Sequence, residues 1–449
     1  MLKASYAPAH YNRSAVLLDL GKAAEALAAA ECAIAQSPDF AEAWNNKGLA
    51  QLDLEQPDAA LESFCRAAQI DPANAAAHYN AAGVHWQRGD YAMAAEAYRL
   101  CLRAAPQDLM ALNDLGLAEA ARGNHHTALE CYDRALGLAP DFADTQFNKS
   151  LTCLLLGNFT EGWRLWEARK RKKTPIGFQD FGLPLWTGAQ EVSGRRILLH
   201  WEQGFGDTIQ FIRYAPLVRA KGADVALMVQ PELAPLICRV MPDIELVDQV
   251  PADTTLQCPL MSLLRAFATV LDTIPPAPGW KADGGRYDTW RARLGKAMKP
   301  CIGFSWRGSA GHGNDRNRSL ALQDVLPLMN DSAMWFGIQK GMPDTDRLVL
   351  TRASDLRAFD HEITDFEDTA ALVAEMDLII TVDTSLAHLA GSIGRECWVM
   401  LPFNPDWRWL FGRQDSPWYA SLRLFRQKRV GDWSGVLAEL RTALQLRFG

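Results

Sequence analysis

Three segments of this 449-residue chain place glycines, hydroxyls, carboxylates and cations at spacings that suit an anionic ligand. The first is Gly204-Phe205-Gly206-Asp207-Thr208, in which two glycines allow a tight strand-to-helix turn and Asp207 falls at the helix start. Asp207 there is either a helix cap or a reactive carboxylate, and without a third glycine the run is not a dinucleotide fingerprint. The second runs from Ile380 to Gly391, where an apolar strand ends in Asp383-Thr384-Ser385 ahead of a helix rich in small residues. The amides of Thr384, Ser385 and Leu386, with two hydroxyls beside them, form an anion site at a helix start, and His388 lies one turn in. The alternative is that Asp383 or Thr384 only caps the helix and His388 packs in the core. The third is Trp306-Arg307-Gly308-Ser309, followed by His312, Asn314, Asp315, Arg316, Arg318 and Ser319. The planar forks of Arg316 and Arg318 suit the oxygens of a phosphate pair, against a plain charged surface loop.

Further residues carry weaker signals. Gln339 and Lys340 end an apolar run and are nucleotide contacts or ordinary loop residues; Asp368 and Thr369 precede a helix, as ribose or phosphate contacts or as its cap. Glu202 and Gln203 are candidates for acceptor binding, and Pro405–Leu410 for an aromatic cleft rim with a sugar-stacking role. Asp344-Thr345-Asp346 matches a metal-holding Asp-x-Asp but sits in a Gly-Met-Pro-Asp turn, so no metal ligand is assigned. No Gly-x-Ser-x-Gly elbow is present, so serine hydrolase chemistry has no support.

These motifs need strands to end where they begin. Arg196–Trp201, Asp224–Gln230, Cys301–Trp306, Met334–Gln339, Leu378–Val382 and Trp398–Leu401 are short apolar runs of the kind that form buried parallel strands. Helical patterns follow at Thr208–Ala220, from Pro231, from about Leu322, over Thr369–Met376 and from Ser385. Two such βαβ sets, separated by a Pro- and Gly-rich stretch over Asp272–Gly285, predict two doubly wound lobes facing each other, with ligands beyond the carboxyl ends of the strands.

The first third is repetitive. Pro38, Pro72, Pro106 and Pro140 recur every 34 residues, and each ends a helix before the next unit. Small residues recur at the eighth position (Ser14, Gly48, Ala82, Gly116, Ser150) and the twentieth (Ala26, Ala60, Ala94, Ala128, Gly162). A larger residue stands at the twenty-fourth (Ala30, Phe64, Tyr98, Tyr132, Trp166). The sixth position holds Asn12, Asn46, Asn80, Asp114 and Asn148, a ladder able to bond an extended peptide backbone or to pack locally. The run Arg169-Lys170-Arg171-Lys172-Lys173 reads as a solvated helix end.

Basic side chains number 46 and acidic ones 53, a net charge of −7, which gives no global attraction to nucleic acid. No apolar run reaches the ~18–20 residues of a membrane span, and the N-terminal residues lack a signal-peptide core. The nine cysteines lack CxxC pairing and read as small buried hydrophobes in a reducing, cytoplasmic setting.

The 34-residue pattern resembles the tetratricopeptide repeat over about residues 7–172. The Asp383–Gly391 element, the upstream Gly-x-Gly-Asp-Thr and the run Tyr214-Ala215-Pro216-Leu217-Val218 resemble the bacterial heptosyltransferase-related glycosyltransferases of GT-B fold, from Gly194 onward. Together they resemble bacterial repeat-glycosyltransferases. The resemblance implies an α-solenoid of five repeats (1–173), a linker (174–194), an α/β acceptor lobe (195–285) and a nucleotide-sugar lobe (286–449). It further implies Asp207 as the acceptor-activating base, Thr384, Ser385 and Leu386 on the donor diphosphate with Asp383 and His388 beside it, and Arg316 or Arg318 neutralising the leaving group. The nucleotide sugar is then a co-substrate with no other cofactor, and a protein or peptide presented by the repeat groove is the acceptor. The alternatives are a glycan or lipid-linked acceptor, or a repeat scaffold whose transferase domain has lost activity. Where the heptosyltransferases usually carry a lysine in a Trp-Pro context, this chain has Asn314-Asp315-Arg316-Asn317-Arg318-Ser319, so donor identity does not carry over.

Overall fold

The 34-residue period folds as helix pairs joined by short turns: α1 (Ala7–Asp19) with α2 (Ala23–Gln36), α3 (Ala41–Asp53) with α4 (Pro57–Ile70), α5 (Ala75–Arg88) with α6 (Tyr91–Ala104), and α7 (Leu109–Ala121) with α8 (His125–Leu138), followed by α9 (Ala143–Leu155). Each repeating proline stands two residues past a helix end. The periodic small and large positions meet inside a pair. A Cβ on Gly48 would lie 2.4 Å from the Phe64 ring, and one on Gly116 would lie 2.4 Å from the Tyr132 ring. Such contacts leave no room for any side chain but hydrogen, which is why the period is so visible.

The computed structural model describes residues 6–295, 297–309, 311, 313–352 and 356–449; Met1–Ser5 and His312 lie outside the described residues. The chain divides into two compact units, Met1–Thr152 and Cys153–Gly449. In the first, the ladder at the sixth position ties each repeat to its neighbour. Asn46 Nδ2 donates to Ser14 Oγ at 2.9 Å, Asn80 Nδ2 to Asn45 Oδ1 at 2.9 Å, and Asn148 Nδ2 to Asn113 Oδ1 at 3.0 Å. Asp114 accepts from the Tyr79 hydroxyl at 2.7 Å and from Asn113, and burial raises its pKa. Asn12 alone of the five is exposed. The amide donors read as peptide contacts are therefore engaged between repeats at Asn46, Asn80 and Asn148.

The second unit takes in the end of α9, then α10 (Phe159–Trp166) and a 3-10 turn, Glu167–Lys170. Of the basic run, Arg171 and Lys173 are exposed as in a solvated helix end, but its first two residues are not. Arg169 is fully buried, its guanidinium donating to both carboxylate oxygens of Glu202, at 3.0 and 2.9 Å, and to Ser262 and Glu167. Lys170 also pairs with Glu167, at 2.7 Å. Nor is 174–194 a free tether: Trp186 is buried, its amide donates to Gln257 O at 2.8 Å, and the Gln257 amide donates to Pro184 O.

Two parallel sheets follow. One has the order β3-β2-β1-β4, from β1 (Arg196–His200), β2 (Asp224–Met228), β3 (Glu245–Leu246) and β4 (Leu256–Pro259). The other comprises β5 (Cys301–Ser305), β6 (Met334–Gly337), β7 (Leu356–Ala358), β8 (Leu378–Val382), β9 (Cys397–Leu401) and β10 (Leu422–Arg426) in the order β10-β9-β8-β5-β6-β7. In the second sheet the strand order reverses between β5 and β8, the switch point of a doubly wound sheet. Every residue of β5, β8 and β9 is buried, as strands covered on both faces require.

The helices placed on these sheets are α11 (Phe205–Phe211), α12 (Ala215–Ala220), α13 (Ala234–Val240), α14 (Leu263–Ala266), α15 (Gly284–Leu294), α16 (Asp315–Arg318), α17 (Leu322–Val325), α18 (Asp344–Leu350), α19 (Phe366–Glu375), α20 (Ser385–Ile393) and α21 (Trp433–Phe448). The pattern over Thr208–Ala220 is two helices rather than one. Pro216, in the first turn of α12, has no N–H to continue the ladder from α11, and a 3-10 turn intervenes. No helix among the described residues is long and apolar enough to cross a membrane.

Candidate functional site

The carboxyl ends of β1, β5, β8 and β9 open into one cavity of about 740 Å³. One wall comes from the turn after β1. Gly204 is extended at the start of α11, and Asp207, three residues on, reaches back to accept the Gly204 amide at 2.7 Å. The second glycine of the motif has a use here. A Cβ on Gly206 would lie 2.8 Å from His388 Cδ2 and 3.5 Å from Ser385 Cα, so glycine lets α11 approach α20.

The opposite wall is the start of α20. Thr384 caps it, its Oγ1 accepting the Leu386 amide at 3.3 Å. Thr384, Ser385, Asp383 and His388 line the cavity, whereas Leu386 is buried and its amide is taken by that cap. Burial first, and then the Asp406 carboxylate, push the Asp383 carboxyl up to about 6. Arg318 closes the site from α16, its Nη1 donating to the Asp383 carbonyl at 2.8 Å and its Nε pairing with Asp315 at 3.3 Å. A Cβ on Gly308 would lie 2.5 Å from the Arg318 guanidinium, so Gly308 makes room for the arginine. Arg316, two residues away on the same short helix, is exposed and outside the cavity lining.

Sequence reasoning missed the residue that ties the α11 wall to the segment after β9. Arg408, in the 3-10 turn Trp407–Trp409, donates Nε to Gln210 at 2.9 Å, Nη1 to Asp406 at 2.7 Å and Nη2 to Asp207. Its guanidinium lies 4.4 Å from the Trp407 ring centroid. Burial opposes its charge, but Asp207 and Asp406 outweigh that and raise its pKa. For Asp207 the balance is reversed: burial outweighs the pull of Arg408, and the carboxyl sits above its ordinary range. The available signal was an Asp-x-Arg between aromatics just past a strand end, read as rim packing.

Several named residues are not brought to this cavity. Glu202 is buried against Arg169 and cannot face a ligand, although Gln203, next to it, lines the site. Gln339 is buried, its Oε1 accepting from Ser305 Oγ at 2.9 Å and the Arg307 amide at 3.1 Å, which fastens the ends of β5 and β6 together. Lys340 donates to the Thr364 carbonyl at 3.0 Å. α19 starts three residues before Thr369, capped by Asp365. Asp368 therefore lies inside its first turn, bonded to Trp290 and Thr364 and paired with Arg286. The Thr369 hydroxyl donates back to Asp365 O. In the Asp-x-Asp string, Asp346 is buried and accepts the Trp306 indole N–H at 2.8 Å, and among the described residues no group of three acidic, Cys or His side chains is placed to hold a metal.

The chain is thus a repeat protein: an N-terminal helical array joined to an α/β region of two parallel sheets. A tetratricopeptide-repeat family model matches residues 11–75, 52–108 and 113–169, and the array consists of tetratricopeptide repeats. Over 445 residues the chain is 28% identical to Protein FlbA of Caulobacter vibrioides, covering 91% of this chain and 73% of that protein. Among solved structures it is similar to MamA (20% identity, 34% of this chain and 91% of that chain, TM-score 0.33). It is also similar to YrrB, described as a TPR protein with an unusual peptide-binding site (18% identity, 38% and 88%, TM-score 0.34).

Proposed function

We propose that the second unit is a GT-B glycosyltransferase that moves a sugar from a nucleotide-diphosphate donor to an acceptor hydroxyl, with inversion and without a metal, the acceptor being a protein recruited by the repeats. The observation that carries this reading is the single cavity at the carboxyl ends of two parallel sheets, whose volume of about 740 Å³ suits a ligand of nucleotide-sugar size. Its α20 wall offers the Ser385 amide, two hydroxyls and His388 to the donor diphosphate, and α16 adds the Arg318 guanidinium. Its α11 wall offers Asp207, with Gln203, Trp201, Gln230 and Glu232 around the acceptor.

In the reaction, the acceptor oxygen bonds to the anomeric carbon as the bond from that carbon to the phosphate oxygen breaks. The electron pair leaves with the diphosphate, and the acceptor proton passes to a carboxylate oxygen of Asp207. The α20 groups are fixed before reaction, so they stabilise charge as it develops on the leaving group.

One observation favours a second reading, a scaffold without catalysis: Asp207 is already paired with Arg408. The two separate in one experiment. Nucleotide sugars are screened by thermal shift, and candidate proteins and glycans incubated with the stabilising one are weighed by mass spectrometry. A protein gaining one sugar mass supports the first reading, a glycan product moves the acceptor to that class, and no stabilisation by any nucleotide sugar rejects both transferase forms. Arg318→Ala is expected to weaken nucleoside diphosphate affinity about 10- to 100-fold by calorimetry, the loss of a charged hydrogen bond. Unchanged affinity would reject its diphosphate role.

A further inference from the structure

The two ring nitrogens of His388 face different surroundings. Its Cδ2–Nε2 edge is turned to the Gly206 side of the cavity, where a Cβ would lie 2.8 Å from Cδ2 and 3.5 Å from Nε2. Its Nδ1 lies 3.3 Å from the hydroxyl of Tyr419, in the segment before β10. The ring plane is held as well, stacked on Trp409 with centroids 5.4 Å apart and an interplanar angle of 20°. Tyr419 is itself fully enclosed. The Arg213 guanidinium lies 4.6 Å from its ring centroid, and a Cβ on Gly391, one turn after His388, would lie 2.4 Å from the ring. The glycine of Ala390-Gly391 thus admits the tyrosine, and the glycine of Phe205-Gly206 admits the histidine edge.

We propose that Tyr419 is a positioning residue that donates its hydroxyl proton to His388 Nδ1, so that His388 carries its own proton on Nε2 and offers that N–H to the anionic group held in the cavity. This rests on the reading of the cavity as a diphosphate site. The direction of the bond follows from the neighbours. Arg213 donates to the Trp418 and Pro275 carbonyls and presses a cation against the tyrosine ring, and the Ser392 hydroxyl beside the phenol can donate to the phenolic oxygen, which leaves the phenol's own proton to Nδ1. Burial, reinforced by Arg408 and Arg213, keeps the imidazole neutral by lowering its pKa, and burial raises that of the phenol despite Arg213. A neutral imidazole has one N–H; if Nδ1 accepts, Nε2 must donate. The partner of one ring nitrogen sets what the other can do, as in histidine sites where an outer hydrogen bond fixes the tautomer.

The test uses the full chain with 15N-labelled histidine. Long-range 1H–15N correlation should show His388 Nδ1 as the unprotonated nitrogen and Nε2 as the protonated one, assigned by loss of the signals in His388→Gln. Tyr419→Phe keeps the ring and its packing and should shift His388 to a mixture of tautomers. Calorimetry with inorganic pyrophosphate should show Tyr419→Phe binding about tenfold more weakly, and Tyr419→Phe/His388→Ala no more weakly than His388→Ala alone. A wild-type His388 protonated on Nδ1, an unchanged tautomer in Tyr419→Phe, or additive losses would each overturn the proposal. Wild-type protein that fails to bind pyrophosphate would reject the diphosphate reading, while the tautomer still decides the role of Tyr419.

Discussion

If the proposed transfer is correct, Asp207→Asn is expected to lower its rate by about 10² to 10⁴, the contribution of a positioned general base, while nucleoside diphosphate affinity stays within twofold. The separation follows from geometry, because Asp207 sits on the α11 wall and the donor groups sit on the α20 wall and Arg318. Arg408 does not disable the carboxylate. It engages Oδ1 and the Gly204 amide engages Oδ2, but each oxygen has a second lone pair, and the net effect of the site is to raise the pKa above the ordinary aspartate range. The reactive form is the ionised one. Activity should therefore be full above this raised pKa and fall as pH drops through it, so the acid limb of kcat/KM lies higher than for an exposed aspartate. That limb should vanish in Asp207→Asn. Transfer that survives the substitution, or an acid limb that persists in it, would place the base elsewhere.

The parts of the fold that were legible are those written into local composition. The repeats show because close approach allows only hydrogen at Gly48 and Gly116 beneath Phe64 and Tyr132, so the period is imposed residue by residue. Strands buried on both faces, such as β5 and β8, read as unbroken apolar runs. The strands that escaped notice are short or mixed: β3 is two residues, β7 is three, β4 includes Gln257 and Pro259, and β10 carries Arg423 and Arg426. The three strand-end motifs did lead to one cavity, since a strand, a small turn and a helix are contiguous in sequence. Partnership at long range was not legible. Arg408 meets Asp207 across 201 residues of chain, and no spacing rule links them. The same blindness made Arg169 look solvated and Glu202 available, and left open whether the asparagines of the repeats bond a peptide or pack locally, because a sequence displays a polar group without its partner.

Arg169→Met is expected to destabilise the second unit by about 3–5 kcal/mol, the usual loss when one member of a buried ion pair is removed. Arg169 and Glu202 are both fully buried, so the substitution leaves the Glu202 carboxylate with neither water nor a guanidinium. Glu167 adds to the effect. Despite burial, Arg169 and Lys170 hold its pKa down to about 2, and without Arg169 part of that support is lost. Denaturant unfolding of the full chain, followed by tryptophan fluorescence, measures the loss. The decisive comparison is Arg169→Met/Glu202→Leu: removing both charges should recover most of the stability, since paired burial of charge is close to neutral against an apolar pair of similar volume. The two substitutions should differ in function as well. Glu202 stands beside Gln203 and Gly204, so a Glu202 carboxylate left unpaired in Arg169→Met is expected to displace the turn that carries Asp207. The double variant, with that carboxylate removed, should regain activity in step with stability. A single variant as stable as wild type would mean that the Glu202 carboxylate finds water or another cation, and the tie between the last repeat helix and the β1 turn would then be packing alone.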